Sequence, residues 1–454
     1  MSCGTLGDDG VRMGLSLSIW EHSGMLVKGF RIRTMRWTLI LTLAAALSLI
    51  CVADSSAIGA AQQLVYDYDC SMSVGSSGLA ALYDALGDLS EAVVPSIADP
   101  HGSPIAKPIG AGYRALLLSA DGYVPAYLTR VTQHEYFGHG ARYREFGYVD
   151  SDYCINLPPP LGEGGGWARR GHIEPPHRRL SLDEELAIQI AGTEATNLLG
   201  SELALSMLSS GRLSARDGLL YLQAAGGLPG YIAITESESG ATAPSGDIAQ
   251  YIRNLNLAAS LEGSVGSALT LDDLKRQSMI ALLNPLVYAS AWTIGHGYLW
   301  SGRRDAVLPA VRVLGVRYLP IARLALTPFG SQYCLENLLS WHHRVLRVTV
   351  LIGDPTFHRF WGLDLRTMNL WVSKKVILDL DLRLWHQPAL VLGGSNVRAN
   401  RPGLGGSGIL RFRFPLGREL RSAQMALHLG YKTDGFTAGE TLASDLILRV
   451  GFAF

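Results

Sequence analysis

Residues 376 to 385 read VILDLDLRLW. In an extended chain Leu378, Leu380, Leu382 and Leu384 fall on one face and Asp379, Asp381 and Arg383 on the other, because side chains of a strand alternate. ILRFRF (409–414), AQMALHLGY (423–431) and LILRVGFAF (446–454) keep the same period of two. From about residue 75 to 305 the period is different. GLAALYDALGDLSEAV, YVPAYLTRVTQHEYFGHGARYREFG and SLDEELAIQIAGTEATNLLGSELALSML carry apolar residues three and four apart, as helices do. Ser181 and Glu184 have the spacing of a capping box, and LPPPLGEGGGWARRGHIEPPH is a loop. Two periods in one chain exclude an all-helical and an all-β protein. The expectation is an α+β fold, with a mainly helical domain over 58–305 followed by a C-terminal domain over 306–454 that is an antiparallel sheet or a small β-barrel.

Formal net charge is zero, with 39 basic and 39 acidic residues, so the chain lacks the basic excess a nucleic-acid binder needs. Hydrophobic residues make up 48% and charged residues only 17%, which is rich for a soluble enzyme and points to a membrane. The last strand carries apolar residues at Leu448, Val450, Phe452 and the terminal Phe454. It resembles the assembly signal of bacterial outer-membrane β-barrels. That resemblance implies a sheet inserted in the outer membrane of a Gram-negative bacterium, its charged face toward a polar lumen. The alternative is a soluble antiparallel sheet. The uncharged run from Met279 to Trp300 is long enough to span a bilayer, but Asn284-Pro285 and His296 interrupt it, so a buried helix of the first domain is expected.

An address precedes both domains. KGFRIRTMRW, TLILTLAAALSLICVA and DSSA follow one another as a basic region, an apolar region and a small-residue stop, which reads as a secretory signal cleaved after Ala57. Residues 1–57 are therefore an upstream extension and signal peptide, with Met35 a second candidate start. A retained anchor helix is the alternative. Beyond Ala57 only Cys70, Cys154 and Cys334 remain, too few for a disulfide scaffold.

The chemistry concentrates in TQHEYFGHGAR, residues 132–142. His134 and His139 stand five apart, about 140° around a regular α-helix, which is too far for two ligands to share a metal. An extra residue in the turn, a π-bulge, restores a common face, and Gly138 is placed to permit it. Glu194, projected at 100° per residue, shares an apolar face with Ala187, Ile190 and Leu198; a carboxylate buried there needs a partner, and a metal would supply one. Glu184, Glu185 and Glu202 are rivals on the same helix. HEYFGH, an H-E-x-x-G-H sequence, resembles the zinc helix of the dipeptidyl peptidase III family of metallopeptidases. The resemblance implies a zincin-like domain, zinc ligation by His134 and His139, a general-base role for Glu135, and a third ligand from a glutamate some fifty residues on, here Glu194. His172 and His177 beside the Pro-rich loop, and His296 in TIGHGY, are candidates for substrate or transition-state contacts; their plainer readings are exposed loop histidines and a core histidine.

These features converge on an exported zinc-dependent hydrolase of the outer membrane or periplasm. Its expected substrate is a peptide or protein, cleaved by metal-activated water with Glu135 as base. Two alternatives come from other classes: a barrel protein whose N-terminal domain is a non-catalytic plug or binding module, and an integral-membrane metalloprotease using Met279–Trp300 as a span. N-terminal sequencing of protein from the cell envelope should find the chain beginning near Ile58, and intact Met1 in the cytoplasm would contradict export.

Overall fold

The computed structural model describes residues 62–93, 106–174, 178–235, 246–263, 268–393, 402–416 and 423–453. The signal segment, His177 and Phe454 lie outside them. The described residues mix helix and strand, with a large antiparallel sheet in the C-terminal half. Strand β1 (Gln63–Tyr66) comes first. Three short ladders follow: β2 (Tyr148–Val149) with β5 (His172–Ile173), β3 (Asp152–Ile155) with β4 (Gly166–Arg169), and β6 (Arg212–Ser214) with β7 (Asp305–Val307). The remaining strands are β8 (Val311–Val313), β9 (Val316–Thr327), β10 (Gly330–Trp341), β11 (Arg344–Gly353), β12 (Trp361–Val372), β13 (Ile377–Pro388), β14 (Pro402–Pro415), β15 (Gln424–Lys432) and β16 (Asp445–Ala453). They join β1 in one ten-stranded sheet, ordered β1-β16-β15-β14-β13-β12-β11-β10-β9-β8. The first strand thus lies beside the last, Gln63 opposite Ala453 and Tyr66 opposite Val450.

The buried side of the sheet carries charged as well as apolar side chains. In β13, Asp379 and Asp381 are buried, whereas Leu382 and Leu384 are 45% and 41% exposed. The charged face packs against two helices, α1 (Met72–Val93) and the much longer helix over Leu182–Ser210. Charges survive there because they are paired. Arg366 bonds Glu202, Arg411 bonds Asp381, Arg413 bonds Asp379 at 3.0 Å, and Arg323 Nε donates to Glu336 at 2.5 Å. The opposite face exposes Leu335, Val350, Leu363, Leu410, Met425, Leu429, Leu448, Val450 and Phe452.

The helical half is built on an unbroken run from Ala106 to Glu145. It comprises α2 (Ala106–Leu117), a π turn (Leu118–Tyr123), α3 (Val124–Thr132), a second π turn (Gln133–His139) and α4 (Gly140–Glu145), with right-handed helical backbone at each junction. Helix α5 (Leu182–Ser210) crosses it. Its side chains are buried almost all round, which makes it the central helix of the core. The Ser181/Glu184 capping box opens α5, and Gly211 closes it at φ 70°, a left-handed conformation suited to glycine. Then come α6 (Ala215–Ala225), α7 (Gly227–Ile234), α8 (Asp247–Leu261), α9 (Leu271–Ser278) and α10 (Pro285–Trp292). Both main apolar cores are shared with the sheet: Leu228, Ile248 and Leu274 pack with Leu324 and Phe329, and Leu203 and Leu220 with Leu319, Leu338 and Met368. Residue 305 therefore marks a change of secondary structure, with continuous packing across it.

Two expectations are overturned. The stretch from Leu157 onward is not all loop, since it carries β4 and β5. Met279–Trp300 is not a buried helix. It runs as a 3-10 turn (Met279–Leu283), α10 and a third π turn (Thr293–Trp300), and a 64° bend at Asn284 separates Leu271–Leu283 from Pro285–Trp300. Pro285 has no N–H to continue a helix, and Asn284 before it takes an extended backbone at φ −89°, ψ 102°. Met279, Leu282, Leu283, Tyr288, Trp292 and Trp300 are all more than half exposed. Among the described residues no single helix is long and apolar enough to cross a membrane.

Candidate metal centre

His134 and His139 both lie in the second π turn, where the Gly140 N–H donates to the Glu135 carbonyl five residues back. That hydrogen-bond pattern brings positions i and i+5 to one face, and the two ring centroids are 5.1 Å apart. Gly138 has a role beyond the backbone freedom expected of it. A Cβ at Gly138 would stand 2.7 Å from the Gly192 Cα and 2.8 Å from the Ala191 carbonyl of α5, so the glycine permits the two helices to touch. Gly192 does the same for the ligand: a Cβ there would lie 2.2 Å from His134 Nε2.

The third group is Asp247, the first residue of α8. Its Oδ2 is 3.2 Å from His139 Nε2 and 3.7 Å from His134 Nε2, and one ligand atom from each of the three residues falls within 4.8 Å of the others. The outer contacts fix these groups in place. His139 Nδ1–H donates to the Ile188 carbonyl at 2.9 Å, which leaves Nε2 facing Asp247. Tyr231 donates its hydroxyl to Asp247 Oδ2 at 3.3 Å and accepts from the Asp247 N–H at 3.1 Å. Two imidazoles and a carboxylate are a donor set that suits zinc and leaves a tetrahedral ion one open position.

Electrostatics couple these groups to one another. Burial alone would depress the His139 imidazole, but the Asp247 carboxylate outweighs it and pushes the pKa up to about 9. For Asp247 burial would act upward, yet His139 and His134 hold the carboxyl well below its ordinary range. Glu135 is buried beside them, and desolvation raises its pKa despite the two histidines. All four residues line one open cleft of about 2500 Å³, together with Tyr143 and Tyr231.

Glu194 is elsewhere. It is buried as its helical face required, but its partner is Arg142: Arg142 Nη2 donates to Oε1 and Oε2 at 2.9 and 3.1 Å, and the Gly439 N–H donates to Oε1 at 2.8 Å. The guanidinium, one turn beyond His139, occupies the place assigned to a metal. The rivals are also committed, Glu184 to the capping box and Arg178, Glu185 to Arg170, and Glu202 to Arg366. His172 is exposed beside Glu174 at 3.4 Å, and His296 stacks on Trp292 with centroids 4.5 Å apart; neither lines the cleft. Asp247 went unforeseen because an acidic residue opening a helix is ordinary dipole chemistry, and no motif ties it to residues far upstream.

Three variants separate these roles by metal stoichiometry and affinity. Asp247→Ala should weaken metal binding by more than the roughly 10- to 100-fold that loss of an outer hydrogen-bond partner costs. Gly192→Ala should also weaken it, by driving a methyl group into the His134 ring. Glu194→Ala should instead cost about 3 to 5 kcal/mol of stability by leaving Arg142 buried with one partner fewer, while folded protein keeps its affinity. Because His139 must lose a proton to ligate, affinity for the metal-free protein should rise with pH toward about 9 and fall below it. Compared with known proteins, the chain matches no family model, no curated protein and no solved structure.

Proposed function

We propose that the protein is an exported zinc-dependent hydrolase, a metallopeptidase acting on peptide or protein substrates, held by its sheet in the outer membrane. The observation that carries the catalytic part is the joining of His134, His139 and Asp247 beside a buried Glu135 in an open cleft. A purely structural zinc site has four protein ligands and no use for an adjacent base, whereas three ligands and a glutamate are the parts of a hydrolytic site. The likeness of HEYFGH to the dipeptidyl peptidase III family's zinc helix favours an amide as the bond cleaved, with Asp247 in place of that family's glutamate.

His134, His139 and Asp247 would hold the ion, and Ile188 and Tyr231 orient two of them. Zinc supplies Lewis acidity, lowering the pKa of water toward neutrality and polarising a carbonyl. Glu135 takes a proton from water in the cleft and delivers it to the departing amine. Its raised pKa suits both halves of that task, since a base poised nearer neutrality also serves as the acid.

The membrane part rests on the sheet. Strands β9 to β16 run 9 to 14 residues, enough to cross a bilayer when tilted, and their outward side chains form an apolar band. Leaving those residues in water would forgo about 25 cal/mol for each Å² of apolar surface.

Glu135→Gln should leave zinc bound while hydrolysis of a peptide library falls by roughly a hundredfold or more. Full activity in that variant would favour a non-catalytic binding module. Leu448→Asp, which sets a charge in the apolar band, should reduce the protein recovered in the outer-membrane fraction; unchanged recovery would favour a soluble sheet.

A further inference from the structure

The sheet's order ends at β1 on one side and at β8 on the other, and the β9 margin is covered by the turn at Met279–Leu283 and by α10. We infer that Met279–Trp300 is the helical part of the membrane wall, a bent segment that faces lipid beside β9 and continues the sheet's apolar band. The inference rests on the reading of the sheet as bilayer-seated and adds a second lipid-facing element to it.

Composition and exposure agree. No Asp, Glu, Lys or Arg lies between Met279 and Trp300, while Lys275 and Arg276 precede the segment and Arg303 and Arg304 follow it. Cations at both ends of an apolar stretch suit the two interfaces of a bilayer. The neighbouring helix α2 adds Ile109 and Leu116, each 71% exposed.

The decisive observation is where the backbone's hydrogen bonds go. A break in a helix frees carbonyl and amide groups, which water would satisfy on a soluble surface and which in hydrocarbon need partners from the protein. At this break the Asn284 N–H donates to Ala281 at 3.1 Å, Asn284 Oδ1 accepts from the Leu286 N–H at 3.1 Å, and the Tyr288 hydroxyl donates to the Leu282 carbonyl at 2.9 Å. Asn284 Nδ2 is itself engaged, on Tyr221 at 2.8 Å. At the far end the His296, Gly297 and Tyr298 carbonyls accept from the N–H groups of Ser301, Arg303 and Gly302 at 3.1, 2.9 and 2.9 Å. The next two carbonyls go to one side chain: Arg114, only 7% exposed, donates to Leu299 at 2.9 and 2.6 Å and to Trp300 at 3.3 Å. An exposed segment whose apolar side chains face outward while its loose backbone groups are met by the protein's own donors and acceptors suits a medium without hydrogen-bond partners.

The test uses the full mature chain in vesicles of phosphatidylethanolamine and phosphatidylglycerol. A nitroxide is attached singly in Leu283→Cys, Trp292→Cys and, on the sheet, Leu448→Cys. Collision with oxygen, which partitions into lipid, is compared with collision with a water-soluble nickel chelate. The expected result is that positions 283 and 292 match position 448, with oxygen contact several-fold above chelate contact. If 448 gives the lipid signature and 283 and 292 give the aqueous one, the helical wall is wrong and the sheet's seat stands. If 283 and 292 are shielded from both reagents, protein covers them and the inference also fails. If 448 itself is aqueous, the seating fails and takes the helical wall with it.

Discussion

The contact between Gly138 and Gly192 sets the geometry of the candidate metal centre. Because neither residue has a side chain, the helix bearing HEYFGH lies directly on α5, and three of its side chains meet α5 in succession. His134 packs on Gly192, His139 donates to Ile188, and Arg142 pairs with Glu194. The two contacts of His134 and His139 present their nitrogens to the cleft, while the third closes the crossing with a buried ion pair. A methyl group at Gly138 would press on the backbone of α5, and one at Gly192 on the ring of His134, so either would disturb the geometry of the three groups.

The sheet shows a second economy of the same kind, in which a costly group is made acceptable by its neighbours. Charges on its inner face are expensive to desolvate and are acceptable because arginines from several strands meet Glu202 of α5 and Asp379 and Asp381 of β13. The network also reaches the helical half. The Leu442 N–H donates to Glu145, Arg142 Nη1 donates to the Glu440 carbonyl at 2.9 Å, and Arg449 joins Glu440 at 2.5 Å and Asp67 at 3.0 Å. The loop between the last two strands thus buttresses the helix that carries both histidines.

Local periodicity made much of this legible. The late histidine called for a π turn, and one is there; the capping box at Ser181 and the alternation in VILDLDLRLW are equally direct, because each depends on residues within a turn or two. What escaped depends on distant partners. Glu194 was rightly read as buried, but the sequence did not say that Arg142 would reach it first. Asp247 lies in an unremarkable helix start, and β1 is a four-residue strand whose partner is at the other end of the chain. The uncharged stretch at Met279–Trp300 reads as core in the sequence, because hydropathy reports that a segment avoids water and says nothing of what replaces it.

That β1 lies against β16 has a kinetic meaning. Val65 pairs with Gly451, so the strand that begins the sheet waits for the strand that ends it. Closing so long a loop costs entropy before any contact rewards it, whereas every other pairing in this sheet joins strands consecutive in the chain. Throughout that wait the edge of β16 has no strand beside it, the condition in which β-rich chains aggregate. The topology therefore gives this chain a long vulnerable interval after synthesis, and its yield in a cell should depend as much on holdase chaperones as on the stability of the finished fold.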